Sequence, residues 1–507
     1  MDISLKHEDY KLLVVNNDNC VEEELSAEII LPEYMPEILH IIKSVAQPRV
    51  ASCKLVGERV TVEGSCELRL IYTGEDGCIY SFSQNKPFTA FKENESFANA
   101  VDVNTTVKTS FVNCRATGTK RAEIKAGIGI RFNVSFFEAK DIISVENCHL
   151  EEKSVELKVF SAGCRKTRAF AMSDTVSLSV PSAFVLGCNA TARLDEVRKI
   201  SNKIMLRGEA VVDICYVNSD NRAQTQSLSH SIPLNQIIEL EGFEETFVGD
   251  INIEVSAIEV IPKGEHDTFA TAFDISLGLE ACVTMWQERD LKIITDVYSV
   301  EGAVALKKSP YTFHSPLGKI DDNFLCENSF TVAGEEVTQL LQTRGEITGV
   351  KVKWEDGVAT VSGSLCVSVI FRDIAGAVSN VNKVFDFSYK HSVSCKSEDV
   401  MCDPSVKIDG ITANITAANT VSVKAELRVC GTLLEKITID TITDITVAEN
   451  SSKGRRMPIT IYFPCENGEC LWDIAKRYNT TVSAIAEENG ISGDTTENLK
   501  ILFIPSA

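Results

Sequence analysis

Glu469, Cys470, Leu471 and Trp472 stand together near the end of the chain and offer a carboxylate, a thiol, an apolar side chain and an indole within one helical turn. This set suits recognition better than bond-breaking chemistry. An indole can stack on a sugar ring or fill a pocket in a protein partner, and at helical spacing it can equally pack on its own core. Ile491 lies downstream, and Leu471 and Ile491 are expected to be exposed apolar anchors. Upstream, Lys453, Arg455 and Arg456 form the densest basic cluster of the tail. They read either as a solvated hinge or as an electrostatic contact for an acidic partner.

Residues suited to catalysis or metal binding do not gather in this way. The sequence contains no phosphate-binding G-x-x-x-x-G-K-[ST], no G-x-S-x-G elbow and no H-E-x-x-H pair. The seven histidines, from His7 to His391, are isolated, and no carboxylate pair is marked out by spacing. Seventeen cysteines are scattered singly from Cys20 to Cys470 with no C-x-x-C, which suits neither a zinc site nor a disulfide framework. Cys66, Cys78, Cys215, Cys366 and Cys430 sit in apolar runs, where a thiol behaves as a small hydrophobe. The expectation is a non-enzyme with reduced structural thiols, no metal and no cofactor.

The 507 residues exceed one hydrophobic core and imply three to five domains. A net charge of -22 argues against a general nucleic-acid or acidic-membrane binder. The start, MDISLKHEDYKLLVV, lacks the features of a secretory signal, and no apolar run is long enough for a membrane helix. A cytoplasmic protein is expected.

A weak internal repeat runs through the first ~450 residues, each copy about one domain long. VTVEGSCELRLIY, IMLRGEAVVDICY and ATVSGSLCVSVIF align without a gap, with Gly64, Gly208 and Gly363 each followed eight residues later by Tyr72, Tyr216 or Phe371. Alternate apolar positions predict a strand with one face on a core, and the glycine predicts a bulge or a close backbone approach. An apolar pair lies 23 and 22 residues before each glycine: Ile41 and Ile42, Val185 and Leu186, Leu340 and Leu341. PEILHII and EEVTQLL around the first and third pairs predict short helices, PSAFVLG less so. AEIKAGIGIRFNVSFF, TFATAFDISLGLEACV and NTVSVKAELRVCGTLL close the copies as alternating strands. The fold expected is mostly β, with three sandwich-like repeats over 1–160, 161–305 and 306–448, a linker at 449–458, and a small α+β domain at 459–505.

That last domain reads strand, helix, helix, strand. Residues 459–463 form the first strand, and Leu471, Ile474, Ala475 and Tyr478 mark one helix. Thr480 or Thr481 caps a second helix, which Asn489 and Gly490 end in a left-handed turn. Residues 499–504 return as a strand stopped by Pro505. The run GECLWDIAKRYNTTVSAIAEENGI resembles the LysM core. That family uses the loops before its first helix and after its second to hold N-acetylglucosamine polymers. Here Glu469 and Cys470 replace its Asp-Thr, and Glu497, Asn498 and Leu499 replace its Pro-Gly-Gln.

Three such repeats and one LysM domain resemble the SPOCS-domain proteins of spore-forming clostridia, of the SipL type. EIILPEYMPEILHII is similar to the segment that opens SPOCS domains. The resemblance implies an adaptor for spore-coat and envelope assembly in the mother-cell cytoplasm, at the forespore surface. Its LysM domain would dock the coat-basement ATPase SpoIVA, and its repeats would self-associate. The docking surface expected is Glu469, Cys470, Leu471, Trp472 and Ile491, with Lys453, Arg455 and Arg456. The alternative is a peptidoglycan-binding protein of the spore cortex or wall.

Overall fold

The computed structural model describes residues 5–505 except 146–149, 223, 265–268, 301, 335, 394–397, 403, 448–458, 465–468 and 497–499. The first unit comprises β1 (Leu5–Ile30), β2 (Ile38–Val56), β3 (Arg59–Gly74), β4 (Ile79–Glu93), β5 (Ala100–Gly118) and β6 (Arg121–Val145). The second comprises β7 (Leu150–Ile200), β8 (Lys203–Asn218), β9 (Thr225–Glu239), β10 (Val248–Lys263) and β11 (Ala270–Ser299). The third runs through β12 (Val304–Thr331), β13 (Val337–Glu355), β14 (Val358–Asp373), β15 (Val378–Ser392), β16 (Val400–Cys402), β17 (Ser405–Ala417) and β18 (Thr420–Val447). The small domain contains β19 (Ile459–Tyr462), α1 (Leu471–Tyr478), α2 (Val482–Asn489) and β20 (Leu502–Pro505).

Each unit packs two antiparallel sheets. In the first, β2-β3-β4 faces β1-β6-β5. In the second, β7 serves both sheets: its early part pairs with β11, and its later part pairs with β8. This strand runs through the division expected at 160/161, bending where Ala162 and Gly163 take positive φ. The third unit repeats the order with β13-β14-β15 and β12-β18-β17. Fold class and repeat were therefore legible in the alternation.

The inward face of β3 carries Val60, Val62, Cys66, Leu68 and Leu70, all fully buried. Ile204, Leu206, Ala210, Val212 and Ile214 repeat that face in β8, and Ala359, Val361, Leu365, Val367 and Val369 in β14. Gly64, Gly208 and Gly363 fall on the same inward rows, and each meets the close approach that its sequence suggests. A Cβ on Gly64 would lie 2.3 Å from the Arg49 carbonyl and 2.4 Å from the Phe88 ring. On Gly208 it would lie 2.0 Å from the Arg193 carbonyl, and on Gly363 2.7 Å from the Phe387 ring.

The expected helices at the apolar pairs are instead strands. Ile41 and Ile42 lie in β2, Val185 and Leu186 in β7, and Leu340 and Leu341 in β13, each pair at a bulge in the ladder. The first member of each pair packs in its own sandwich. The second joins one shared cluster, where Ile42, Leu186 and Leu341 meet Ile71, Cys215 and Ile370. A strand buried on both faces loses its period-two signature, and two adjacent aliphatics then mimic helical spacing.

Equivalent residues from all three units thus close around one pseudo-threefold axis. A second shared cluster holds Tyr10, Phe160 and Phe313. There the Tyr10 hydroxyl donates to the Phe160 carbonyl at 2.6 Å, and its ring meets Phe313 edge-on at 5.4 Å. Trp286 Nε1 donates to the Leu13 carbonyl at 3.1 Å. Of the cysteines expected in apolar strands, Cys66 and Cys215 are buried, and Cys78, Cys366 and Cys430 are partly so; all five are free thiols. Among the described residues no helix is long and apolar enough to cross a membrane.

Leu341→Ala should cost about 2–5 kcal/mol, the usual cost of a cavity in a core. Val384→Ala, at a side chain 63% exposed, is the matched control. Thermal melts of the intact chain should show a clear loss for the first and almost none for the second.

Candidate functional site

The C-terminal domain is built as its sequence suggests, with one substitution made good by backbone. Leu471, Ile474 and Ala475 bury the inner face of α1. Its N-cap, Cys470, gives no side-chain hydrogen bond. The Leu471 amide donates instead to the Asp494 carbonyl at 2.8 Å, and Cys470 pairs with Thr495. Thr496 completes the brace: its hydroxyl accepts from the Glu469 amide at 2.8 Å, and its own amide donates to the Glu469 carbonyl at 2.9 Å.

Thr481 caps α2 by accepting from the Ala484 amide at 3.0 Å, and Gly490 ends it at φ 64°. The Asn489 amide group donates to the carbonyls of Ile485 and Phe503 at 2.8 and 2.6 Å, and accepts from the Phe503 amide at 2.7 Å. One side chain therefore ties the end of α2 to β20.

The expected site residues divide sharply. Leu471 is fully buried and cannot be an exposed anchor: its position on α1 faces the domain core rather than the loop. Ile491 is half-buried against the same core. The Glu469 carboxylate accepts from the Tyr462 hydroxyl at 2.6 Å. Lys453, Arg455 and Arg456 lie outside the described residues, as do Glu497, Asn498 and Leu499.

Trp472 neither lies free nor packs only within its own domain. Its ring meets Tyr298 of β11 edge-on at 4.8 Å, and its Nε1 donates to Asp296 at 2.9 Å. Lys476, one turn further along α1, donates to both Asp296 oxygens at 2.7 Å. The Tyr298 hydroxyl donates to the Thr480 carbonyl at 2.8 Å, and Tyr298 joins the small domain's core cluster. Asp296 and Tyr298 were not marked in the sequence. Their alternate spacing places them on one face of a strand, but nothing local shows what that face receives.

Burial raises the Asp296 pKa, but hydrogen bonds from Lys476 and Trp472, with the charges of Lys476 and Lys308, outweigh it and hold the carboxyl below its ordinary value. α1 is thereby clamped to the second unit. What the clamp leaves open is the outer face of the two-stranded β19–β20 sheet. Ile459, Ile461, Phe463, Ile501 and Phe503 are exposed there, with Ile461 and Phe503 directly opposite across the ladder. Phe463 is 68% exposed and Ile461 58%, whereas Leu502 and Ile504 on the inner face are buried. Five adjoining large apolar side chains on so small a domain mark an interaction surface.

A central cavity of about 3380 Å³ separates the units along their axis and is lined by β2, β5, β7, β10, β13 and β17. Its wall carries both signs of charge, as in the Arg165–Asp102 pair at 3.3 Å. Nearby Glu280 has its pKa raised by burial and then by Glu254 and Asp102. No cluster of metal-binding side chains occurs among the described residues.

Residues 37–117 and 184–262 each match the family described as SipL, SPOCS domain, and residues 466–501 match the LysM domain. The first two segments cover β2 to β5 and their counterparts in the second unit, from late β7 through β10. The chain is therefore a mostly-β repeat protein with SPOCS domains and a C-terminal LysM domain. That combination is the SipL-type arrangement suggested by the sequence resemblance. Both domain types are non-catalytic binding domains. No curated protein and no solved structure matches the chain.

Asp296→Ala should remove about 2 kcal/mol of docking free energy, as expected for hydrogen bonds to a charged group. Amide exchange in α1 should accelerate, and small-angle scattering should report a larger radius, with α2 protection little changed. A carboxyl with a lowered folded pKa contributes fully above its unfolded value near pH ~4 and loses that contribution as pH falls through the folded value. In the wild type the clamp should therefore hold at neutral pH and weaken only in acid; Asp296→Asn should flatten this dependence.

Proposed function

We propose that this protein is a non-enzymatic adaptor for spore-coat and envelope assembly. Its LysM domain docks the coat-basement ATPase SpoIVA at the forespore surface in the mother-cell cytoplasm, and its SPOCS units make self-association contacts. The reading rests on the SPOCS and LysM matches, which support a sporulation-related binder, and on one observation above all. The outer face of the β19–β20 sheet presents Ile459, Ile461, Phe463, Ile501 and Phe503 to solvent. A protein partner gains from covering such a face, since burying an aliphatic or aromatic side chain is worth about 1.5–3 kcal/mol.

Glu469, Cys470 and Ile491 would then supply contacts from the loop side. Lys453, Arg455 and Arg456, which closely precede Ile459 in sequence, would supply charge for an acidic partner surface. Trp472 enters this reading as a clamp to the second unit that fixes the domain's orientation.

Peptidoglycan binding is the second reading, favoured by the LysM fold itself. It needs the loops beside α1 and α2. There Cys470 offers no hydroxyl, and Thr496 is buried and engaged with the Glu469 backbone.

Co-purification of the full chain with the ATPase separates the two. Ile461→Asp and Phe463→Asp should each weaken the complex at least tenfold while leaving the melting curve of the chain unchanged. An undiminished complex in the double variant would remove the β19–β20 face from the interface. Retention on purified peptidoglycan at the level of an ordinary LysM domain would favour the second reading.

A further inference from the structure

Where the three units meet, a pocket of about 20 Å³ opens beside the central cavity. A single water needs about 10–15 Å³, so the pocket has room for a water or a small ion. Its wall takes Lys43, Gln47 and Arg69 from the first unit, Gly187 from the second, and Gln342 and Arg344 from the third. These include three cations and two amides, and no carboxylate lines the pocket, in a chain whose net charge is -22. The local balance is opposite to that of the molecule.

The cations differ in how they are satisfied. Arg69 donates twice to Glu67, at 2.8 and 3.2 Å, and is largely neutralised. Lys43 donates to the Ser368 hydroxyl of the third unit at 2.7 Å, a neutral acceptor. The Arg344 side chain makes no hydrogen bond or ion pair among the described residues. Gln342 packs so closely on Gly187 that an added Cβ there would fall 2.7 Å from its Nε2, which holds the amide group against the wall.

Lys43 and Arg344 therefore face a common pocket as like charges, both also on the wall of the central cavity and partly buried, where their repulsion is less screened than in bulk water. Burial, and then the charge of Arg344, lower the Lys43 pKa to about 8, with Glu346 acting in the opposite sense. Cys188, also on the wall, has its thiol pKa raised by burial and stays neutral.

We propose that this pocket binds one monatomic anion of chloride size, bridging Lys43 of the first unit and Arg344 of the third, and so pins the units together at their axis. Binding should favour charged Lys43, so near pH ~8 it should be accompanied by proton uptake.

The test uses the full chain. At constant ionic strength, replacing gluconate with chloride should raise the melting midpoint by a few degrees, since ligand bound only to the folded state stabilises it. Calorimetry of chloride binding near pH ~8, in buffers of different ionisation enthalpy, should show proton uptake. A crystal grown in bromide should show an anomalous peak between Lys43 and Arg344. Lys43→Met with Arg344→Met should abolish the chloride dependence. A water-filled pocket would give no bromide peak and no difference between chloride and gluconate, and either result overturns the proposal, as does a chloride shift that survives in the double variant. Should that variant fail to fold, the bromide peak and proton uptake of the wild type decide.

Discussion

Ile42, Leu186 and Leu341 meet where three sandwiches approach one axis, and they have no other place to go. Each lies at a bulge, on a strand whose other face already fills its own core. The neighbouring Ile71, Cys215 and Ile370 complete the contact from the central strands. At about 1.5–3 kcal/mol per buried aliphatic side chain, this seam outweighs any one polar bridge between units. The central cavity and the side pocket both depend on the relative placement that it sets.

How much of this was legible follows from what each pattern measures. Alternation in VTVEGSCELRLIY reports a strand with one buried row, and the structure gives it that row, including the glycine's close contact. The PEILHII segment misled because its strand is apolar on both sides: Ile41 serves the sandwich and Ile42 the axis. A single sequence records that both are apolar but not that they belong to different cores. The pairs at equal distance from each glycine were therefore a true signal of equivalence, though not of helix.

The small domain was more legible because its contacts are local. Thr481 and Gly490 act within a few residues of where they stand and cap and end α2 as their types require, and Asn489 reaches no further than Phe503. Leu471 was misjudged because one turn of helix holds both core and surface, and its angular position decides between them. Trp472 could be read either way from spacing. Its partner, Asp296, is 176 residues away. No short-range pattern reports a contact between a helix and a strand that the chain visits so much earlier.

The seat for Trp472 belongs to one unit of three. Ile294 and Val297 of β11 and Ile442 and Ile445 of β18 share a cluster, with the same spacing in each strand. By that spacing Asp296 corresponds to Asp444, whereas Tyr298 corresponds to Thr446. The acidic residue is thus repeated, but the ring that meets the indole is not. A body with three similar sides and one distinctive side acquires a heading. Whatever gathers on the exposed β19–β20 face is delivered to a single flank, so molecules set in one orientation present it in one direction rather than merely in one neighbourhood.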